Sequence, residues 1–318
     1  MPALQTASRP LARPKAQACD KIADAMDTNE VRKAVIPAAG LGTRLLPVTK
    51  AVPKELLPIL DRPMLQYVIE EIVASGIDAI TVITARGKSA LEDYFDRHVE
   101  LERSLAESGK TVLLQEVQHG SRLAQFTYIR QGEPKGLGHA VLTARPAVGD
   151  APFAVVLPDD IIVSQTPAVG QLIEVFRKYG GSVVAIEEVP MERVSAYGVV
   201  DASHIGDNVY RVHSVVEKPS PDKAPSNLAI VGRYVFTPEL FDALDNTPPG
   251  ANSEIQLTDG ISLLMKEQPV FACRLTGTRY DGGNPFGLLQ ASVEFALARD
   301  DLRPQVEDLI RRLAAKLK

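Results

Sequence analysis

From Val31 to about residue 180 the chain repeats one pattern: a short apolar run, a turn, then a stretch long enough for a helix. "KAVIPA" (Lys33–Ala38) is the first such run and reads as a buried strand. "DRPMLQYVIEEIVASG" follows as a helix, with Pro63 near its first turn and Leu65, Val68, Ile69 and Ile72 on one face. Gly76 ends it. "DAITVIT" is the next strand, and "KSALEDYFDRHVELERSLAESG" reads as one helix ending at Gly109. "TYIRQ" is a strand, "GLGHAVLTAR" opens a helix, and "FAVVLPDD" is a strand whose end carries two carboxylates. Consecutive parallel strands need a crossover, and these crossovers are helical. The succession therefore predicts a Rossmann-like α/β fold, a mostly parallel sheet covered by helices on both faces, with right-handed connections.

After residue 180 the pattern changes. "GSVVAIEEV", "AYGVVDA", "NVYRVHSVVEKP" and "LAIVGRYVF" are closely spaced and rich in β-branched residues. They predict a small β-rich, mixed or antiparallel extension over about 181–236. Helices are expected near Thr237–Asp245 and Glu254–Glu267. Residues 303–318 space Val306, Ile310, Leu313 and Leu317 like one stripe of a C-terminal helix, beyond a main domain of 31–302. Residues 1–30 have two Arg-Pro pairs and no apolar period. They read as a disordered extension, or as sequence upstream of a start at Met26, and they lack the apolar centre of a signal peptide.

The 318 residues carry a net charge of −5, with no basic block to neutralise a nucleic-acid backbone. No apolar run approaches a membrane span. Of the two cysteines, Cys19 lies in the tail, so a structural disulfide is not expected and a reducing cytoplasm fits.

Against that acidic balance, "AVIPAAGLGTRLLPVTKAVPKELLP" gathers Arg44, Lys50 and Lys54 behind a glycine turn, with Arg62 shortly after. A dinucleotide fingerprint would need a third glycine where Leu45 stands. A P-loop fails at Gly87-Lys88-Ser89 and at Gly109-Lys110-Thr111, where Val82 and Ser104 occupy the first glycine position. What remains is a different phosphate loop. Gly40 and Gly42 let backbone N–H groups approach a ligand, Arg44 can fork onto phosphate oxygens, and Lys54 is a movable point charge. Two turn glycines with solvated cations is the bland alternative.

The stretch closely resembles the signature of the sugar-nucleotide pyrophosphorylases, in particular the bacterial UTP–glucose-1-phosphate uridylyltransferases. Gly40 to Arg44 match Gly-x-Gly-Thr-Arg, and Pro53-Lys54 match the pair that follows. "RQGEPKGLGHAV", "VVLPDDII", "YGVV", "VVEKP", "AIVGRYVF" and "YDGGNPFG" then occur in the family's order, so the resemblance spans roughly Arg32 to Glu294. It implies a Mg²⁺-dependent nucleotidyl transfer from UTP to glucose 1-phosphate, catalysed by alignment, metal and fixed cations rather than a covalent nucleophile.

The resemblance also implies roles. Ala39, Gly40, Gly42 and Thr43 line the nucleotide, and Arg44 and Lys54 hold its triphosphate. Gln131 meets the uracil edge and Gly136 the base. An amide is suited to an imide, which offers both acceptors and a donor. Asp159 matches the family's metal-binding carboxylate, where Mg²⁺ would take hard oxygen ligands, and Asp281 in "YDGG" matches the second. Asp160 could share the ion or cap a turn. Glu217 accepts sugar hydroxyls and Lys218 meets the sugar phosphate. Gly198, Gly232 and Tyr234 line the hexose, or else mark a bulge and ordinary packing. Lys50 has no assigned role, and His139 reads as a helix-start residue. A homo-oligomer, dimer or tetramer, is expected, with no nucleic-acid or membrane partner. The rivals are transfer of another nucleotide, such as thymidylyl, and a non-catalytic nucleotide-sugar sensor. The joint presence of Arg44, Lys54, Asp159 and Lys218 weighs against the sensor.

Overall fold

The computed structural model describes residues 30–250 and 253–317. The extension expected over residues 1–30 lies outside them, apart from Glu30. In chain order, β1 (Lys33–Pro37) leads through a loop of 3₁₀ turns to two-residue strands β2 (Pro58–Ile59) and β3 (Arg62–Pro63). Then come α1 (Met64–Ala74), β4 (Ala79–Thr84), α2 (Ala90–Phe95), α3 (Val99–Glu107), α4 (Thr111–Arg122) and β5 (Gln125–Arg130). Two short helices, α5 (Leu137–Thr143) and α6 (Arg145–Val148), precede β6 (Phe153–Val156) and β7 (Asp160–Val163). After α7 (Ala168–Tyr179) come β8 (Ser182–Glu188), β9 (Gly198–Gly206), β10 (Val209–Glu217) and β11 (Leu228–Phe236). The chain continues through α8 (Glu239–Asp245), α9 (Leu257–Leu264), β12 (Val270–Arg274), β13 (Thr278–Asp281), α10 (Pro285–Ala298) and α11 (Arg303–Lys316).

Nine strands form one sheet in the order β5-β4-β1-β6-β11-β8-β12-β10-β9. β5, β4, β1 and β6 are mutually parallel, the part that the strand–helix succession foretold. The strands after residue 180 join this same sheet through antiparallel contacts, apart from the parallel pair β8–β12. Strand alternation sorts the core into two faces. Ala34 and Ile36 of β1 point into a layer with Leu65, Val68, Ile69 and Ile72 of α1 and with α7. Val35 points the other way, into a layer with Val141 of α5, Phe241 and Leu244 of α8 and Ile261 of α9. The four apolar positions read from α1's spacing are all buried. Among the described residues no helix is long and apolar enough to cross a membrane.

Three local expectations change. The stretch 88–109 breaks into α2 and α3, where His98 Nδ1 accepts the Leu101 N–H at 3.2 Å and starts a new helix. A further helix, α4, occupies 111–122; its Gly120 and its exposed Val112 and Leu113 blur any apolar stripe. "FAVVLPDD" is not one strand. β6 stops at Val156, Pro158 cannot donate to a ladder, and Asp160 opens β7, which pairs antiparallel with β13. α11 packs on α10 and leaves Leu309, Ile310, Leu313 and Leu317 exposed.

One charged side chain ties β11 of the sheet to α1 and to the turn between β6 and β7. Arg233, in β11, is wholly buried. Its guanidinium meets Glu71 of α1 at 2.7 and 2.9 Å, the Asp160 carbonyl at 2.7 Å and the Gly232 and Leu157 carbonyls at 3.0 and 3.2 Å. Breaking such a pair strands a buried carboxylate and several carbonyls. Arg233→Met is therefore expected to lower the unfolding free energy by about 3–5 kcal/mol, read by urea denaturation. The Arg233→Met, Glu71→Met double variant should recover part of that loss.

Candidate active site

The site lies at the carboxyl ends of the parallel strands, where open α/β sheets expose their loops. Just past the end of β1, Ala38 still donates its N–H to the Ile83 carbonyl at 2.8 Å, and the glycine loop follows at once. Gly40 is exposed, with open space where a Cβ would stand. Gly42 has φ +67°, and a Cβ there would crowd Thr49 and Lys54 at 3.1 and 3.2 Å, so glycine is required. The Thr49 hydroxyl clamps the Gly42 carbonyl at 2.9 Å. Thr43 and Arg44 are exposed on the turn, Ala39 is buried beneath it, and Lys50 is exposed farther along.

Beneath the loop lies a buried ion pair. The Lys88 ammonium donates to the Ala38 carbonyl at 2.6 Å and to both Glu55 oxygens at 2.9 and 3.0 Å. Burial pushes Glu55 up and Lys88 down from their ordinary values, against their mutual attraction. The pair anchors both ends of the loop, because Glu55 follows Lys54 directly.

A cleft of about 230 Å³ opens beside the loop. Arg44, Asp159, Gly198, Glu217, Lys218, Gly232, Tyr234 and Asp281 all line it, although the sequence spreads them over more than 230 positions. Lys54 reaches in from behind, its ammonium 2.6 Å from Asp159 Oδ2. Burial works against both charges, but each partner outweighs it: Lys54 is held above and Asp159 below the ordinary range. Both therefore stay ionised at neutral pH.

The β7–β13 pairing sets Asp281 opposite Asp160 and so beside Asp159. A Cβ on Gly283 would stand 2.8 Å from Asp159 Oδ2 and 3.0 Å from Asp281 Oδ1. Two carboxylates thus face one small cradle that only glycine leaves open. Among the described residues no cluster of three or more His, Cys, Asp or Glu side chains could hold a metal unaided.

Asp160 has a different task. Its Oδ1 meets Arg279 at 2.7 Å and its Oδ2 accepts the Gly232 N–H at 2.9 Å. Both oxygens are thereby committed to the protein. Burial, offset mainly by Arg279, leaves its carboxyl above the usual range. Gly232 sits at a register shift in β11, and a Cβ there would lie 2.6 Å from Asp160 Oδ2.

On the far wall, Gly198 pairs with Glu217 across β9 and β10. Glu217 accepts from the Thr258 hydroxyl at 3.0 Å and is ion-paired with the Lys218 ammonium, 2.9 Å from its Oε1. Lys218 is half-exposed with φ +45°, a left-handed conformation that costs a side-chain-bearing residue roughly 1–2 kcal/mol. Strain of this kind persists where surrounding structure imposes it, and it collects at ligand sites. Tyr234 is buried, and burial pushes its phenol up, so it stays protonated.

Gln131 and Gly136 stand apart from the cleft lining, at the end of β5, and Leu137 joins them to it. Adjacent strands lie about 4.8 Å apart, so Gln131 stands roughly 10 Å across the sheet edge from the glycine loop. Sequence reasoning missed Thr258, Arg279, Tyr197, Lys88 and Arg233. An arginine inside the apolar run "LAIVGRYVF" was a signal for Arg233.

The nucleotidyl transferase family profile matches residues 33–296. A UTP–glucose-1-phosphate uridylyltransferase of Bacillus subtilis, YngB, is 51% identical over 287 residues, which is 89% of this chain and 97% of that protein. A second enzyme of that name from the same organism is 50% identical, covering 90% of this chain and 98% of its own. Among solved structures, a UDP-glucose pyrophosphorylase complexed with UDP-glucose superposes with a TM-score of 0.76 at 41% identity, covering 85% of this chain and all of that one. A UTP-bound UGPase from Acinetobacter baumannii superposes at 0.83 with 38% identity, over 89% of this chain and 100% of its own. A glycine loop, a carboxylate pair and a cation-lined cleft at the ends of this sheet, with these likenesses over nearly the whole chain, lead to one conclusion: the chain belongs to the bacterial UTP–glucose-1-phosphate uridylyltransferases of the nucleotidyl transferase family and is an enzyme of that class.

Proposed function

We propose that the chain makes UDP-glucose by in-line transfer. A phosphate oxygen of glucose 1-phosphate bonds to the α-phosphorus of UTP, the bond to the β-phosphate oxygen breaks, and pyrophosphate leaves with the electron pair. The observation that carries this reading is the convergence of Arg44, Asp159, Glu217, Lys218 and Asp281 on one cleft. A sensor would need no such set of cations and carboxylates.

In this reading the backbone of Ala39, Gly40, Gly42 and Thr43 cradles the triphosphate, and Arg44 and Lys54 neutralise the pyrophosphate as it departs. Gln131 and Gly136 take the base. Glu217, held by Thr258, accepts hexose hydroxyls, while Gly198, Gly232 and Tyr234 shape the sugar's wall. Lys218 meets the sugar phosphate. Asp159 and Asp281 are the groups that would hold Mg²⁺. The Gly283 cradle between them suits a small, hard cation that takes its remaining donors from phosphate and water. When bound, the ion supplies charge neutralisation at the reacting phosphates. The two anionic substrates otherwise repel each other, so alignment and charge account for the catalysis.

UTP with glucose 1-phosphate should yield pyrophosphate and UDP-glucose, with EDTA abolishing turnover. Release assays with each nucleoside triphosphate check this, and preference for another nucleotide would overturn the uridylyl assignment. Asp159→Asn keeps the shape but removes the charge. Turnover should fall about a hundredfold or more, near 3 kcal/mol, with the fold intact by circular dichroism. If Asp160→Asn alone were crippling through turnover and Asp159→Asn mild, the metal role would belong to Asp160. Lys218→Ala should chiefly raise KM for glucose 1-phosphate and Arg44→Ala that for UTP, each by roughly tenfold or more. Calorimetric titration of UTP alone separates the two: lost UTP binding in Lys218→Ala, with glucose 1-phosphate use unaltered, would reverse the assignment.

A further inference from the structure

Gln131 is held at the sheet edge by its own backbone, whose N–H donates to the Thr84 carbonyl at 2.9 Å. Its side-chain nitrogen lies 3.2 Å from the Gly136 carbonyl and 2.9 Å from His139 Nδ1. A carbonyl can only accept, so the nitrogen end of the amide must face Gly136. That choice fixes the second contact. The other amide proton points at His139 Nδ1, which must then be bare, with the ring proton on Nε2.

A primary amide has two protons, and both are now spent on the protein. Its Oε1 meets no donor among the described residues and is not sealed off from solvent, so it is left free to accept from a ligand. The frame around it is stiff. A Cβ on Gly136 or on Gly138 would stand 2.8 Å from the Ile255 carbonyl, so glycine alone lets this turn press against the 254–255 segment. Ile255 in turn donates to the Lys135 carbonyl at 2.8 Å and accepts the Gly138 N–H at 2.9 Å. The Gly136 carbonyl and His139 are therefore fixed relative to Gln131.

We propose that His139 is a positioning residue for base selection: with the Gly136 carbonyl it consumes both amide protons of Gln131, so the site offers the nucleotide an acceptor alone. This inference rests on the nucleotide placement proposed above. A base with a ring N–H at that edge, the imide of uracil, can donate to Oε1. Cytosine presents a bare ring nitrogen there, and two lone pairs would face each other. Thymine carries the same imide as uracil, so His139 sorts imides from cytosine and not uracil from thymine. Without His139, one amide proton is released and can turn toward cytosine.

The neutral ring that this scheme needs is favoured in place. Burial and then Lys135 push His139 below its ordinary value of 6.5, against a smaller pull from Glu133. Those two residues, in the turn ahead of α5, are the charged groups acting on it. Acid would put a proton on Nδ1, turn the acceptor into a donor, and force the amide out of register.

The test compares UTP, dTTP and CTP with glucose 1-phosphate and Mg²⁺ in the full chain and in His139→Leu and His139→Asn, following pyrophosphate. In His139→Leu the KM for UTP should rise about tenfold, with kcat changed less, and the UTP:CTP ratio of kcat/KM should narrow by about tenfold or more. His139→Asn, whose Oδ1 stands near the place of Nδ1, should restore most of that ratio. For the full chain, KM for UTP should rise as pH falls through the His139 pKa, below 6.5. His139→Asn should show only the shared titration of the phosphates. Unchanged ratios in His139→Leu, or equal damage by both variants to all three nucleotides, would overturn the proposal. A wild-type preference for CTP would overturn this proposal and the uridylyl reading together. A preference for dTTP would overturn the uridylyl reading alone, with His139 judged on the dTTP:CTP ratio. Should His139→Leu not fold, ¹⁵N spectra of the unaltered chain decide, since it has only five histidines. A neutral ring protonated on Nε2 supports the proposal, and an Nδ1–H tautomer overturns it.

Discussion

The Arg233 guanidinium is the interaction on which the site's geometry depends. It is the largest wholly buried side chain among the described residues, and its charge is met by Glu71 rather than by water. Through the Leu157 and Asp160 carbonyls it also grips the short segment between β6 and β7. That segment carries Asp159. A buried ion pair is weak evidence for net stability, because desolvation offsets much of the attraction. Its value here is positional. It fixes α1, β11 and the carboxylate-bearing turn to one another, so Asp159 does not depend on a free loop for its place.

The sheet edge is arranged as the proposed reaction would need. Reading along it, the end of β5 holds Gln131, the end of β1 the glycine loop, and the end of β6 the Asp159 turn. The spacing of neighbouring strands, about 4.8 Å, sets these groups roughly 10 and 5 Å apart. That is the scale over which a nucleotide extends from base to phosphates. The strands after residue 180 then bring Glu217, Lys218 and Gly198 round to face them. One sheet supplies both walls of the cleft, so the spacing of those walls is set by hydrogen-bonded ladders rather than by a flexible joint.

How much of this was legible follows from the range of each interaction. Local periodicity gave β1, α1, β4 and β5, because alternation and the helical stripe of Leu65, Val68, Ile69 and Ile72 are written in adjacent residues. It failed at α4, where Gly120 and exposed apolar residues break the stripe, and at residues 96–98, where one histidine cap divides a helix. Motif resemblance named the cleft-lining Arg44, Asp159, Glu217, Lys218 and Asp281, which the fold gathers together. It singled out Asp159 but supplied no physical ground for choosing it over Asp160. Those neighbours differ only in what the fold puts against them: a lysine and an open cradle for one, Arg279 and the Gly232 N–H for the other. Nor could it reveal Thr258, Arg279 or the Lys88–Glu55 pair, whose importance comes from partners 33 to 119 positions away.

The two neighbouring carboxylates also show how an acidic chain can keep a site for anions. Asp160 is paired with arginine, whose planar fork fills several acceptors at once and whose geometry is rigid. Arg279 uses that fork on Asp160, Glu187 and Tyr197 together, so releasing it would break three contacts. Asp159 is paired with lysine, a single point charge on a flexible stem, and the pair is partly open to solvent. Such a contact can be exchanged at modest cost. In the proposed reaction an arriving phosphate would offer Lys54 a replacement anion, and a divalent cation would offer Asp159 a replacement partner. In that reading the charge on each group would be compensated both before and after the exchange. On the proposed roles, lysine opposite the exchanging carboxylate and arginine opposite the fixed one is the distribution that would let one turn serve as both scaffold and ligand.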